Sequence, residues 1–260
     1  MERTAESIAV LSDVHGALPQ LEAVLAQPEV RAADLIVVTG DHAAGPQPTE
    51  VLDRLAELGE RVVLVRGNAD RELVHLARGG DDPDAPEVSV WAAGQLTERH
   101  VETLDSLPHP VVVSVAGLGR VLFCHGTPRD DDEVALVDSR LEWWREVLSG
   151  VDESVRAVVC GHTHMPFVRL VDRRWVVNSG SVGMPYGSPP APWALIDRRG
   201  IHLRWAPVDV DAAARHILGT SGFPDVRAWV DDYLLRPPGD GDAIEAFGPR
   251  DGRKGPGTRP

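Results

Sequence analysis

The sequence predicts an α/β fold, a mixed sandwich of β-sheets with helices on the outside. Two patterns carry this. In the first half, short runs of Val, Ile and Leu alternate with amphipathic helical segments, as parallel strands do when both faces of their sheet are covered. In the second half, strands follow one another across tight turns, as antiparallel pairs do. With 43% hydrophobic and 25% charged residues over 260 positions, the chain has the composition of a globular protein able to bury a core.

The elements follow in order. Residues 8–12 form a short apolar run that ends at Asp13, and 19–25 place Leu21, Val24 and Leu25 at helical spacing. Residues 34–41 are a buried strand, 48–58 an amphipathic helix, 61–68 a third strand, and 70–78 a helix for which Asp70 is the expected N-cap, with a site-supporting hydrogen bond as the alternative. Residues 111–116, the turn Gly117-Leu118-Gly119 and residues 121–125 read as a hairpin. Helix is expected around 133–148, and strands at 157–161, 167–171, 175–178, 194–197 and 201–205, with Arg199-Gly200 turning between the last two. Residues 209–218 and 225–235 form a terminal helical pair, split by Gly222 and Pro224, that completes a single domain over 1–236. From Pro237 to residue 260 the chain is rich in Pro, Gly and charge, and a disordered tail is expected there.

Twenty-six Lys and Arg against forty Asp and Glu leave a net charge of −14. Such acidity argues against a protein that tracks long nucleic acid, whose affinity comes from basic residues, and against an anchor on anionic lipid. A small phosphorylated ligand is not excluded, because a bound metal inverts the local sign. The N-terminal residues carry Glu2, Arg3 and Glu6, and the apolar stretch beyond them is short, so no signal peptide or membrane span is expected. Cys124 and Cys160 each sit inside an apolar run and read as small buried hydrophobes in a reducing compartment, consistent with a cytoplasmic location.

The informative residues stand where the strands end. Asp13-Val14-His15 follows the first, Gly40-Asp41 the second, Gly67-Asn68 the third, Cys124-His125-Gly126 a fourth and Gly161-His162-Thr163-His164 a fifth. Carboxylate, imidazole and amide oxygen are donors suited to Mn, Fe or Zn. In open α/β sheets, ligands gather beyond the carboxyl ends of strands, so five such ends on one rim would hold a metal cluster. In Asp-x-His and His-x-His the donors are two apart, which in an extended segment puts both side chains on one face.

On these residues the chain resembles the calcineurin-like metallophosphoesterases, and most closely their compact bacterial and archaeal phosphodiesterase branch. The likeness runs from Asp13 to His164, is densest in 11–25 and 161–167, and extends to 178–183. It implies a four-layer αββα sandwich of mixed sheets. It also implies two divalent ions, with Mn favoured and Fe, Zn, Ni or Mg as alternatives. Asp13, His15 and His164 would bind one; Asn68, His125 and His162 would bind the other; Asp41 would bridge both. The resemblance assigns catalysis to Asp41, Asn68 and His125, through a metal-bridging hydroxide that attacks a small phosphodiester, nucleotide-type ester or monoester. Many members carry a histidine after the Gly-Asn pair; here the position is Ala69, which favours substrates with good leaving groups.

Other residues receive plainer expectations. Arg66, Arg71 and Arg129 flank the motifs and are candidates to grip phosphate, with surface salt bridging as the alternative. His42 should point away from the metals, His75 would reach the site only if its helix folded toward it, and His100, His109, His202 and His216 are expected at the surface or satisfied in the core. Asp130 to Glu133 is expected to be a solvated turn. Of the seven tryptophans most should be core, with an exposed subset available for a homodimer face or a base-stacking wall. The rival functional reading is a scaffold of the same fold without catalysis, like the retromer scaffolding subunit of this superfamily. All seven proposed positions hold acceptable donors, which favours the enzyme.

Overall fold

The computed structural model describes residues 3–253. Its strands are β1 (Arg3–Ala5), β2 (Ser7–Leu11), β3 (Leu35–Val38), β4 (Val62–Leu64), β5 (Val111–Val115), β6 (Gly119–Phe123), β7 (Val155–Cys160), β8 (Phe167–Val171), β9 (Arg174–Asn178), β10 (Pro192–Asp197) and β11 (Gly200–Trp205). The helices are α1 (Leu18–Leu25), α2 (Pro28–Ala32), α3 (Pro48–Ala56), α4 (Asn68–Ala77), α5 (Glu87–Ala93), α6 (Glu98–Asp105), α7 (Leu141–Val147), α8 (Val210–Thr220), α9 (Val226–Val230) and α10 (Asp240–Phe247). None of them is long and apolar enough to cross a membrane.

Two mixed sheets form. One has the order β11-β10-β2-β3-β4, with β2, β3 and β4 parallel and β10 antiparallel to β2. The other has the order β1-β5-β6-β7-β9-β8, with the expected β5–β6 hairpin pairing Val111 to Phe123 and with β6, β7 and β9 parallel. Because successive strand residues face opposite ways, each apolar run serves two layers. Ile8 and Val10 of β2 meet Val121, Phe123 and Val159 between the sheets. Ala9 and Leu11 pack outward under Leu21 and Val24 of α1 and Val51 of α3. On the other sheet Leu122, Cys124, Val158 and Cys160 face outward under Trp144 and Val147 of α7. Both sheets thus carry apolar residues on both faces, and the result is the αββα sandwich. The two cysteines are free and buried beneath α7, as expected of small hydrophobes, and burial pushes the Cys160 thiol up to about 12.

Two expectations change. The helix expected over 133–148 is confined to α7. Before it, Trp143 Nε1 and Trp144 Nε1 donate to the carbonyls of Val134 and Leu136 at 2.9 and 3.0 Å, and Ser139 Oγ accepts from Leu136 N at 2.8 Å, so side chains satisfy the loop's backbone. The tail expected to be disordered is helical over α10, where Ala243, Ile244 and Phe247 pack against Val134, Leu136 and Met165. Flanking Pro and Gly residues hide this short apolar stripe in the sequence; residues 254–260 lie outside the described region. The tryptophans divide as expected: Trp144, Trp193 and Trp229 are buried, Trp91 and Trp143 pack half-buried against core clusters, and Trp175 and Trp205 are the exposed subset.

Phe123 is fully buried between the sheets. Phe123→Ala should lower unfolding free energy by about 3–5 kcal/mol, read from the midpoint of denaturant unfolding.

Candidate metal centre

The parallel strands β2, β3 and β4 of one sheet and β6 and β7 of the other all end at one edge of the sandwich, and the loops leaving them converge there. The residues in these loops are not extended, as the two-apart spacing suggested. Asp13, His15, Asp41, His162 and His164 have φ of 52°, 47°, 56°, 64° and 57°, the left-handed region. Non-glycine residues adopt it at a cost on the order of 1–3 kcal/mol, and such strain is typical of functional sites. Here it turns the chain sharply at each strand end, so that both donors of each pair reach the centre. Main-chain hydrogen bonds hold the turns: Asp13 N to Gly40 O and His15 N to Asp41 O, each 3.0 Å, and Gly183 N to Asp13 O at 3.1 Å. Glycine permits the close approach. A Cβ on Gly67 would collide with the Asp41 carboxylate, and one on Gly161 with Ser12 Oγ and the Asp13 carboxylate.

Six of the seven predicted ligands form two groups, Asp13–His15–His164 and Asp41–His125–His162, with the donor atoms of each group within 4.8 Å of one another. Asp13 Oδ1 lies 3.2 Å from His164 Nε2 and 3.8 Å from His125 Nε2. Asp41 Oδ2 lies 3.2 Å from His125 Nε2 and 3.7 Å from His15 Nε2, so it faces a histidine of each group. The seventh, Asn68, sets its Oδ1 3.1 Å from His125 Nε2.

The donor set fits cations. His15, His125 and His164 each place Nδ1 against a main-chain carbonyl, of Ala44, Thr39 and Met184, at 3.1, 2.7 and 2.8 Å. Donation there turns each Nε2 inward. His15 Nε2 and His164 Nε2 meet at 3.1 Å, and the buried His162 Nε2 has no hydrogen-bond partner among the described residues. Nitrogen and carboxylate oxygen without thiolate is the ligand chemistry of hard to borderline divalent ions.

The titration behaviour follows from burial and these neighbours. Burial opposes ionisation of Asp13 and Asp41, but His164 and His125 beside the first, and His125 and His15 beside the second, hold both carboxyls below the usual range. Against the same burial, Asp41 and Asp13 raise His125 to about 10. Burial and then His164 lower His15, and burial and then His125 lower His162 to about 4, which leaves these two imidazoles neutral, the ligating form.

The supporting residues were only partly legible beforehand. Asp70 is not the N-cap of α4 but its third residue, and its buried carboxylate accepts from Gly67 N, Asp41 N and His42 N at 2.8, 3.0 and 3.0 Å and pairs with His42 Nδ1 at 2.9 Å. It therefore ties the β3 and β4 loops together, and His42 takes part by holding Asp70. Glu72, one turn after Asn68, accepts from Asn68 Nδ2 at 3.1 Å, which leaves Oδ1 for the centre. His109 Nε2 accepts from His125 N at 3.1 Å, and burial lowers its pKa to about 4, so it stays an acceptor. In the loop 178–183, Asn178 Nδ2 donates to Gly161 O at 2.5 Å and Ser181 Oγ to Asp13 O at 2.8 Å, bracing the turns.

The flanking residues divide. Arg66 and Arg71 both bind Asp131, at 2.9 and 3.1 Å, which makes Asp131 a buried clamp rather than part of a solvated turn. Arg129 pairs with Glu133 and Glu146, at 2.6 and 3.4 Å, and lies over Trp143, the surface ion pairing that was the alternative to gripping phosphate. His75 is exposed beside Asp81, not at the centre, and buried Ala69 donates its N–H to Asp41 Oδ1 at 2.9 Å.

The profile of the calcineurin-like phosphoesterase superfamily domain matches residues 7–199, about three quarters of the chain, and spans all seven ligand positions. The chain belongs to that superfamily. Among relatives of this phosphoesterase, Phosphodiesterase YfcE of Escherichia coli K12 is 26% identical over 199 residues, covering 72% of this chain and 84% of YfcE. The crystal structure of a metallophosphoesterase from Sphaerobacter thermophilus is 25% identical with a TM-score of 0.69, covering 89% of this chain and 98% of that one. A hypothetical protein from Pyrococcus horikoshii, 19% identical, shares the fold with a TM-score of 0.71 over 87% of this chain and 97% of its own.

Two outcomes are expected. Asp70→Ala and Glu72→Ala should each weaken metal binding by about 10–100-fold in calorimetric titration, since both hold donors in place. Because His125 in the metal-free protein keeps its proton up to about pH 10, loading at neutral pH should expel a proton, and affinity should fall as pH is lowered; titrations in buffers of different ionisation enthalpy read that release.

Proposed function

We propose that this phosphoesterase works with two divalent ions, one at Asp13, His15 and His164 and the other at Asn68, His125 and His162, with Asp41 shared. The observation that carries this reading is the position of Asp41 Oδ2, 3.2 Å from His125 Nε2 and 3.7 Å from His15 Nε2, between two groups whose donor atoms face inward. When bound, such ions supply Lewis acidity at the phosphoryl oxygens and acidify water so that it attacks phosphorus near neutral pH. The protein's own residues do the rest. Asp70, Glu72 and His109 keep the donors oriented. Arg66 and Arg71, held by Asp131, offer their remaining N–H groups to phosphate oxygens.

The substrate class follows from Ala69. With no imidazole at that position, the leaving oxygen receives no proton from it, so esters with good leaving groups are favoured, such as aryl or nucleotide-type phosphodiesters. The name of YfcE, a phosphodiesterase, agrees with this. Manganese is the favoured ion, and a cytoplasmic setting fits two buried free thiols.

Purified protein loaded with manganese should hold about two ions per chain and hydrolyse bis(4-nitrophenyl) phosphate, and Asp41→Asn should lower kcat on the order of 100-fold or more, beyond what loss of an outer hydrogen bond costs. Undiminished turnover in Asp41→Asn would sink the reading.

A further inference from the structure

The C-terminal segment returns to the metal centre. Phe247, on the last turn of α10, has its ring centroid 5.6 Å from that of His162 and 6.5 Å from that of His164, one imidazole from each donor group. Tyr186 stands 5.8 Å from His164 and meets Phe247 edge-on, 6.2 Å away with the planes at 80°. Both rings are half-buried, so each keeps open surface.

The segment is fixed in place. Arg250 pairs with Asp132 at 2.6 Å and donates to its main-chain oxygen at 2.8 Å. Gly187 N donates to Pro238 O at 3.0 Å, next to Tyr186, and Ser139 Oγ donates to Asp251 Oδ2 at 2.6 Å. Asp132 itself lies 3.6 Å from His162 Nε2, so the same contact that anchors the strap abuts the centre.

Two perpendicular rings form a re-entrant apolar corner. A phosphate spanning both donor groups sends its ester substituents out past their rim, and Phe247 straddles the boundary between those groups. A planar aromatic substituent placed there gains face and edge contacts that a small alkyl group cannot make. Phe247 also lies outside residues 7–199, the part that matches the superfamily profile, so half of the corner is an addition to the shared domain.

We propose that Phe247 and Tyr186 determine specificity by receiving the planar aromatic group, aryl or nucleobase, of a phosphate ester bound at the metal centre. This rests on the phosphoesterase reading above.

The test uses the full, manganese-loaded chain and calorimetry with two pairs of ligands: phenylphosphonate against methylphosphonate, and adenosine 5′-monophosphate against ribose 5-phosphate. The aromatic member of at least one pair should bind about ten-fold more tightly. A preference in the first pair alone assigns a small aryl group, and one in the second assigns a nucleobase. Phe247→Leu, which keeps an apolar side chain against His162, should shrink the preference to within about two-fold, while Phe247→Tyr keeps it. Equal affinities in the wild type, a preference that survives Phe247→Leu, or loss of the metal ions from that variant would each overturn the assignment. If none of the four ligands binds and bis(4-nitrophenyl) phosphate is not cleaved, the phosphoesterase reading itself fails and takes this one with it.

Discussion

Two carboxylates and four imidazoles are held in two groups, the donor atoms of each within 4.8 Å of one another and turned inward. Much of the surrounding structure exists to sustain that arrangement. Left to itself, it would relax by protonation, by rotation of the rings or by opening of the loops. Carbonyls of Ala44, Thr39 and Met184 fix three of the rings, and a carboxylate from α4, Asp70, gathers the loops after β3 and β4 through three main-chain N–H groups. The left-handed backbone at five of the proposed ligand residues persists only because these bonds, and the sandwich beneath, over-determine it.

The same constraint explains the chain's charge. A surface carrying −14 repels polyanions, yet a centre with two carboxylates and two divalent ions would be locally about +2. Acidity over the whole surface and attraction for one small phosphate ester would be compatible, because the ions' charge would be concentrated at a single buried edge. Arg66 and Arg71 extend it outward, held by the buried Asp131.

Much of the site was legible in local sequence. The seven donors stand directly after strands, and apolar runs ending in Asp, Asn or His are visible without tertiary information. Their supports were less so. Asp70 read as a helix cap because its partners, Asp41 and His42, are nearly thirty residues away, joined to it only when β3 and β4 pair. Glu72 carries no signal beyond being one helical turn from Asn68. Asp131 read as part of a solvated turn until the Arg66 and Arg71 forks closed on it.

The sequence alone determined most of the strands, because burial on both faces demands apolar runs, though it missed β1, whose Arg3-Thr4-Ala5 has none, and it determined which residues can act as donors, because their chemistry is intrinsic to the side chains. Only the tertiary structure decided how those donors meet. Spacing suggested a shared strand face, whereas left-handed turns bring the pairs inward, and such turns form only where long-range hydrogen bonds oppose their strain. The C-terminal segment makes the same point. Its few apolar residues, Ala243, Ile244 and Phe247, are too sparse to announce a helix, and they become one only against Val134, Leu136 and Met165, surfaces that the rest of the fold must first assemble.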